Sequence, residues 1–152
     1  MHLKRHIGAL GLSLLLGSAL FAQAAPKPPQ LAAARSVFIS NDTGAYGTQS
    51  DVAYSQFYAA IQKLDRFTIV VDPSQADLIL EVGTGEIHNH PIPLAFYETL
   101  RVLDPKSKVV LWSVSESSPG QGSQALIDKN ALAALDRLAA DLQRVCTPSA
   151  TH

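Results

Sequence analysis

Cysteine, tryptophan and methionine each occur once in the 152 residues, and charged residues make up only 16%. A lone cysteine, Cys146, excludes an internal disulfide, so the fold must stand on packing. An odd cysteine can also bridge two chains, but its place at the end of an apolar helical stripe favours a small buried residue. Twelve basic residues against thirteen acidic ones give no electrostatic footprint for nucleic acid and no polybasic patch for anionic lipid. No internal repeat is present. No Gly-x-Ser-x-Gly elbow occurs, and Ser117, Ser118 and Ser123 are ordinary loop composition, so acyl-transfer chemistry has no motif behind it. Gly83-Thr84-Gly85 and Gly44-Ala45-Tyr46-Gly47 both lack the pattern and the lysine of a phosphate loop.

What is present begins with an export signal. Lys4 and Arg5 precede an apolar run from Ile7 to Phe21, long enough for a secretory leader and short for a membrane span. Ala22-Gln23-Ala24 places small residues where a signal peptidase reads, predicting cleavage after Ala24. Without a cysteine near that cut, lipid anchoring is not expected, and the mature chain is read as periplasmic or secreted with no membrane span. Loss of the leader leaves 10 basic against 13 acidic residues, and a length that suits one domain.

Residues 25–34 (APKPPQLAAA) read as a Pro/Ala-rich tether without helix or strand, with order beginning near Arg35. One α/β domain then spans 35–147, followed by a disordered tail at 148–152. Ser36 to Ser40 reads as a buried strand ending in the turn chemistry of Asn41-Asp42-Thr43-Gly44. Ser50 is placed to cap a helix whose Tyr54, Phe57, Ile61 and Leu64 share one face. Phe67 to Val71 and Ala76 to Val82 read as further strands, the latter loosened or bulged by Gly83 and Gly85. Leu100 to Leu103 and Val109 to Ser115 flank a polar Asp-Pro turn as a hairpin, and Ser115 to Ser123 reads as a surface loop. Ile127, Ala131, Leu135, Leu138, Leu142 and Val145 mark a final amphipathic helix. The predicted architecture is α/β, or α+β: a mixed sheet of about five strands with two helices on one face, in the order β-α-β-β-β-β-α.

Two sets of residues are candidates for chemistry or contact. Glu86, His88 and His90 would share one face if the third strand ran that far, a carboxylate and two imidazoles suited to zinc, copper or nickel. A fourth ligand is not identifiable, and the alternative is a polar strand end entering Pro91-Ile92-Pro93. Tyr46, Asn89, Ile92 and Phe96 are the candidate partner contacts, in or beside the loops Thr43–Gln49 and His88–Leu94. No cofactor is predicted.

Three pieces carry a family resemblance. They are the first strand ending in Asn41-Asp42, then Phe67-Thr68-Ile69-Val70-Val71 followed by Ala76-Asp77-Leu78-Ile79-Leu80, and Leu100-Arg101-Val102-Leu103-Asp104 with Val110-Leu111-Trp112-Ser113. The chain resembles a group of small envelope domains: the curli-secretion and penicillin-binding-protein-activator lipoproteins, the amino-terminal domain of TolB, and related domains of unknown function. That group has an Ala-Asp opening the third strand and a hairpin turn with Gly where this chain has Lys108. The resemblance implies a non-catalytic module that binds an envelope protein or complex, with homo-oligomers possible, and it implies no active-site residue. The expected function is therefore an exported protein-binding or envelope-assembly accessory domain, with a periplasmic metal-binding protein as the alternative.

Overall fold

Val37 and Ile39 are buried while Phe38 and Ser40 are only partly so, the alternation of a strand with one face turned to the core. In the computed structural model, which describes residues 27–41, 48–89 and 92–148, the run is β1 (Ser36–Asn41). Helix α2 (Thr48–Lys63) connects it to a parallel edge strand, β2 (Thr68–Ile69). On the other side β1 pairs in parallel with β3 (Leu78–Asn89), which pairs antiparallel with β4 (Ile92–Leu103), and β4 with β5 (Val110–Pro119). The sheet order is β2-β1-β3-β4-β5, and helix α3 (Gln124–Cys146) closes the fold. The predicted element order and mixed sheet are both present.

The core lies on one face of the sheet. Val37, Ile39, Leu78, Leu80, Val82, Leu100 and Val102 point into it from the strands. Ala53, Phe57, Ala60 and Ile61 meet them from α2, and Leu135, Leu138, Leu142, Val145 and Cys146 from α3. Cys146 is fully buried, and burial raises its thiol pKa, which keeps the sulfur in its unreactive protonated form.

The structure departs from the sequence expectations in four places, each for a local reason. Pro29–Ala33 is a short helix, α1, inside the expected tether. Proline is favoured at a helix start, where its missing N–H costs nothing, and Leu31 and Ala34 anchor the segment in the core. Arg66 secures it further, donating to Ala32 O at 3.3 Å and to Cys146 O at 2.6 Å. Second, Ser50 does not cap α2, which begins at Thr48. Third, the strand expected over Phe67 to Val71 has only two ladder residues, and Val71 is almost wholly exposed. Fourth, β3 and β4 are each twelve residues long, and β5 runs to Pro119 through the stretch expected to be loop. Gly83 and Gly85 stay in the ladder. The ring of Tyr97 fills the space over Gly85 that a Cβ would occupy, covering backbone that glycine leaves bare.

The two turn motifs of the family resemblance have clear physical roles. Asp77 Oδ2 accepts from the backbone N–H groups of Arg35 (2.8 Å) and Ser36 (2.9 Å), and Ser36 Oγ accepts from Asp77 N at 3.0 Å. This reciprocal pair locks the start of β1 to the start of β3. The bonds from Arg35 and Ser36 hold the Asp77 carboxyl below its ordinary pKa. Asp77→Ala is expected to lower stability by about 1 kcal/mol, the net value of such bonds near solvent. The loss should fade as pH falls through the depressed folded-state pKa, because only the ionised carboxylate holds both donors fully. Denaturant melts of both proteins across pH 2–7 measure this.

Asp104 organises the β4–β5 turn in the same way. Its Oδ1 accepts from Lys106 N (3.0 Å), Ser107 N (2.6 Å) and Ser107 Oγ (2.8 Å), and Lys108 N donates to Asp104 O at 2.9 Å. This geometry carries Lys108 to a φ of 59°, in the left-handed region. A Cβ there costs roughly 1 kcal/mol, which is why glycine suits this position. Lys108→Gly is expected to raise stability by up to about 1 kcal/mol, reduced by the greater freedom glycine gives the unfolded chain. A urea midpoint that does not rise would contradict this account of the turn.

Candidate functional site

The covered face of the sheet changes character along its length. Near the chain's strand starts it is aliphatic, with Leu78, Leu80 and Val82 on β3 opposite Val102 and Leu100 on β4. Further out the same face presents Thr84, Glu98, Glu116 and Ser118, from β3, β4 and β5. Here the N-terminal parts of α2 and α3 leave a cleft of about 490 Å³. Ala53, Phe96, Ile127, Ala131, Leu132 and Leu135 form its walls, and exposed Val52, Gln124 and Asp128 stand at its mouth. Ile127 and Ala131 belong to the α3 stripe assigned to the core by periodicity, but they line this recess instead.

Glu98 is the chemical feature of the cleft. It is only 2% exposed, and its Oε2 accepts a hydrogen bond from Thr84 Oγ1 at 2.6 Å. Among the described residues no donor reaches Oε1. Burial pushes the Glu98 carboxyl above its ordinary pKa, and the Thr84 bond offsets part of that rise. Glu116, directly across on β5, is served differently. Arg137 Nε donates to its Oε2 at 2.7 Å, while Arg137 NH2 reaches Ser117 O at 3.2 Å. One carboxylate of the facing pair thus has a cation and the other has a hydroxyl. At the mouth, Gln124 Nε2 donates to Asp128 Oδ1 at 2.7 Å along the first turns of α3.

The residues singled out in the sequence distribute unevenly around this site. Phe96 is buried and lines the cleft. Glu86 lies on β3, two residues beyond Thr84, and has a partner of its own. The strand does continue to His88 and Asn89, with a register shift against β4 between Ile87 and His88 that leaves Leu94 of β4 without a partner in the ladder. His88, Asn89 and Ile92 are placed by their backbone alone, and His90 and Tyr46 lie outside the described residues, as do the leader and its cleavage site. Among the described residues no group of three metal-ligating side chains comes together. The hairpin pattern places the start of β4 at Leu100, which leaves Glu98 and its partner Thr84 outside the legible elements. A signal existed: Phe96, Glu98, Leu100 and Val102 alternate as one face, with a single acid inside an apolar series.

The opposite face of the sheet is free of the described helices. Arg101 pairs with Glu81 across β3 and β4, flanked by Tyr97, Thr99, Ile79 and Phe38. Serines 113, 115 and 117 continue this face onto β5, where Thr99 Oγ1 and Ser115 Oγ share a hydrogen bond at 3.2 Å. No helix among the described residues is long and apolar enough to cross a membrane.

Fold and cleft together define a small α/β domain: a five-stranded mixed sheet, helices on one face, and an acid-floored recess at the far end of that layer. The same fold appears in solved structures. PelC from Paraburkholderia phytofirmans, solved as a dodecamer, superposes with a TM-score of 0.53 at 14% identity, covering 76% of this chain and 89% of its own. A DUF4136 family protein, BT2437 from Bacteroides thetaiotaomicron, gives 0.50 at 10% identity over 78% and 91% of the two chains. XCC0632 from Xanthomonas campestris, of the family DUF330, gives 0.50 at 9% identity over 72% and 81%. No protein-family model matches the chain, and no curated protein matches it in sequence.

Proposed function

We propose that this protein is an exported, non-catalytic domain of the bacterial cell envelope that acts by binding and assembles with copies of itself. The observation that carries the reading is the sheet face free of the described helices, with β5, ten residues long, as its outer strand. Arg137 takes up the Ser117 carbonyl, but a strand of that length leaves further backbone groups for a partner strand, and such edges serve assembly unless they are blunted. The fold is shared with PelC, which was solved as a dodecamer, and this supports self-association as the mode of work. The leader-like residues 1–24 and the resemblance to the curli-secretion and penicillin-binding-protein-activator group support the envelope as its place.

Light scattering on the mature chain after size exclusion, together with crosslinking in intact envelopes, tests this. Expected are a discrete multimer in solution and crosslinked ladders of the same protein in the envelope fraction. Lys or Pro substitutions at outward-facing backbone positions of β5 should dissolve the multimer and leave a folded monomer. A protein that stays monomeric at high micromolar concentration and yields no crosslinked species in envelopes would overturn the proposal.

A further inference from the structure

We infer that the Glu98 cleft is a binding site for a small organic cation, an amine or guanidine carried on an apolar body, whose charged group pairs with the Glu98 carboxylate. Three observations converge on that chemistry. A cavity of about 490 Å³ is within the range of small-molecule sites, roughly 300–1,000 Å³. Its walls are aliphatic and aromatic, so the body of the ligand is apolar. At its floor Thr84 orients the carboxylate by holding Oε2, and Oε1 has no donor among the described residues.

Charge then selects the sign of the ligand. The lining contains two acids, Glu98 and Asp128, and no Lys, Arg or His. The nearest strand-paired carboxylate, Glu116, already has Arg137, which therefore does not serve Glu98. A buried carboxylate without a cation bears a desolvation cost that an incoming ammonium or guanidinium relieves through a charge-assisted bond. A neutral ligand of the same shape offers at most an uncharged hydrogen bond and leaves the buried charge uncompensated, and an anion would meet it with like charge. The inference is independent of self-assembly, since the cleft lies under the helices and the proposed assembly surface lies on the other side of the sheet and at β5.

Titration of the mature protein with phenethylamine, followed by calorimetry and by NMR shifts of cleft residues, provides the test. Phenethyl alcohol and 3-phenylpropionate are the neutral and anionic counterparts. Expected is saturable binding of the amine at least tenfold tighter than of the alcohol, with shifts at Thr84, Phe96 and Leu132, and no binding of the acid. Glu98→Gln should cut amine affinity at least tenfold, to the level of the alcohol. Ala131→Trp, which fills the cleft and keeps the carboxylate, should abolish binding of both, and it decides the matter should Glu98→Gln not fold. Equal affinity for amine and alcohol, amine binding unchanged in Glu98→Gln or Ala131→Trp, or no binding of the amine at 10 mM would each overturn the inference. None of these outcomes bears on the oligomeric state, which is read separately.

Discussion

Phe57→Ala is expected to destabilise the fold by about 3–5 kcal/mol, the largest single loss among the substitutions considered. Phe57 is the bulkiest of the fully buried side chains. It stands on the inner face of α2, one turn from Ala53 and Ile61, and belongs to the cluster that joins α2 to the strands and to α3. Removing the ring forfeits its transfer free energy. It also leaves a void that small neighbours such as Ala53 and Ala60 cannot fill. With no disulfide to restrain the unfolded chain, such a loss is comparable with the whole stability of an ordinary domain, roughly 5–15 kcal/mol. Urea denaturation should show a large fall in the midpoint with little change in slope. Val71→Ala, at an exposed site, should stay within about 0.5 kcal/mol of the parent. Comparable effects of the two substitutions would mean that the helix layer is not packed on the sheet as described.

Glu98→Gln is expected to act in the opposite direction, raising stability at pH 7 by on the order of 1–2 kcal/mol. The glutamine keeps an oxygen for the Thr84 hydroxyl and removes the charge that burial penalises. The pH dependence follows from the raised folded-state pKa. Above it Glu98 is ionised in both folded and unfolded chains, and the penalty is complete. As pH falls through it the folded protein takes up a proton before the unfolded one does, so the wild type gains stability and the advantage of the variant shrinks. Below the ordinary glutamate value, about 4.3, both states are protonated and the difference disappears. Asp72, Asp77 and Asp104 carry lowered values, held down by their hydrogen bonds, and their stabilising effect is lost only at lower pH, below the ordinary aspartate value. The wild type is thus expected to gain from Glu98 on mild acidification before it loses from the three aspartates. Melts of wild type and Glu98→Gln from pH 3 to 8 give the difference curve directly. A variant less stable than wild type at pH 7 would contradict this account of Glu98.

That substitution bears on function as well as on stability. A residue that weakens the fold in the unliganded state is usually retained for what it does with a partner. If the organic cation binds as inferred, the same change should make the free protein more stable and the ligand weaker. A purely structural carboxylate would not produce that pair of opposite signs.

Much of this fold was legible because its strongest patterns are local. The apolar run from Val37 to Ile39 marks a buried strand, and the four-residue spacing of Phe57 and Ile61 and the long stripe from Leu135 to Val145 report which side chains face one way on a regular backbone. The Asp104-to-Lys108 turn was equally visible, since hydrogen bonds between residues a few positions apart depend on residue type and spacing, whereas the partners of Asp77, Arg35 and Ser36, lie about forty residues away. These features were enough to give an α/β domain with a mixed sheet covered on one side.

What remained hidden depends on residues far apart in the chain. Ser115 to Pro119 has the composition of a loop, yet it is a strand because β4 supplies its hydrogen bonds and Arg137 reaches Glu116 from α3. Gly83 and Gly85 suggest a break, but the ring of Tyr97 and the ladder to β4 carry β3 past them. Prolines 28 and 29 suggest a free tether, while the burial of Leu31 draws the next residues into a helical turn. The cleft is of the same kind. Local periodicity assigns Ile127 and Ala131 to the core, and only the placement of α2 and α3 over the outer half of β3 and β4 leaves them facing Glu98 across open space. The sequence by itself determined which residues are apolar and how they repeat, and hence the elements and the class of fold. Tertiary structure alone decided where that apolar layer ends and a buried acid begins, because strand extension and cavity formation arise from pairing and packing between distant segments.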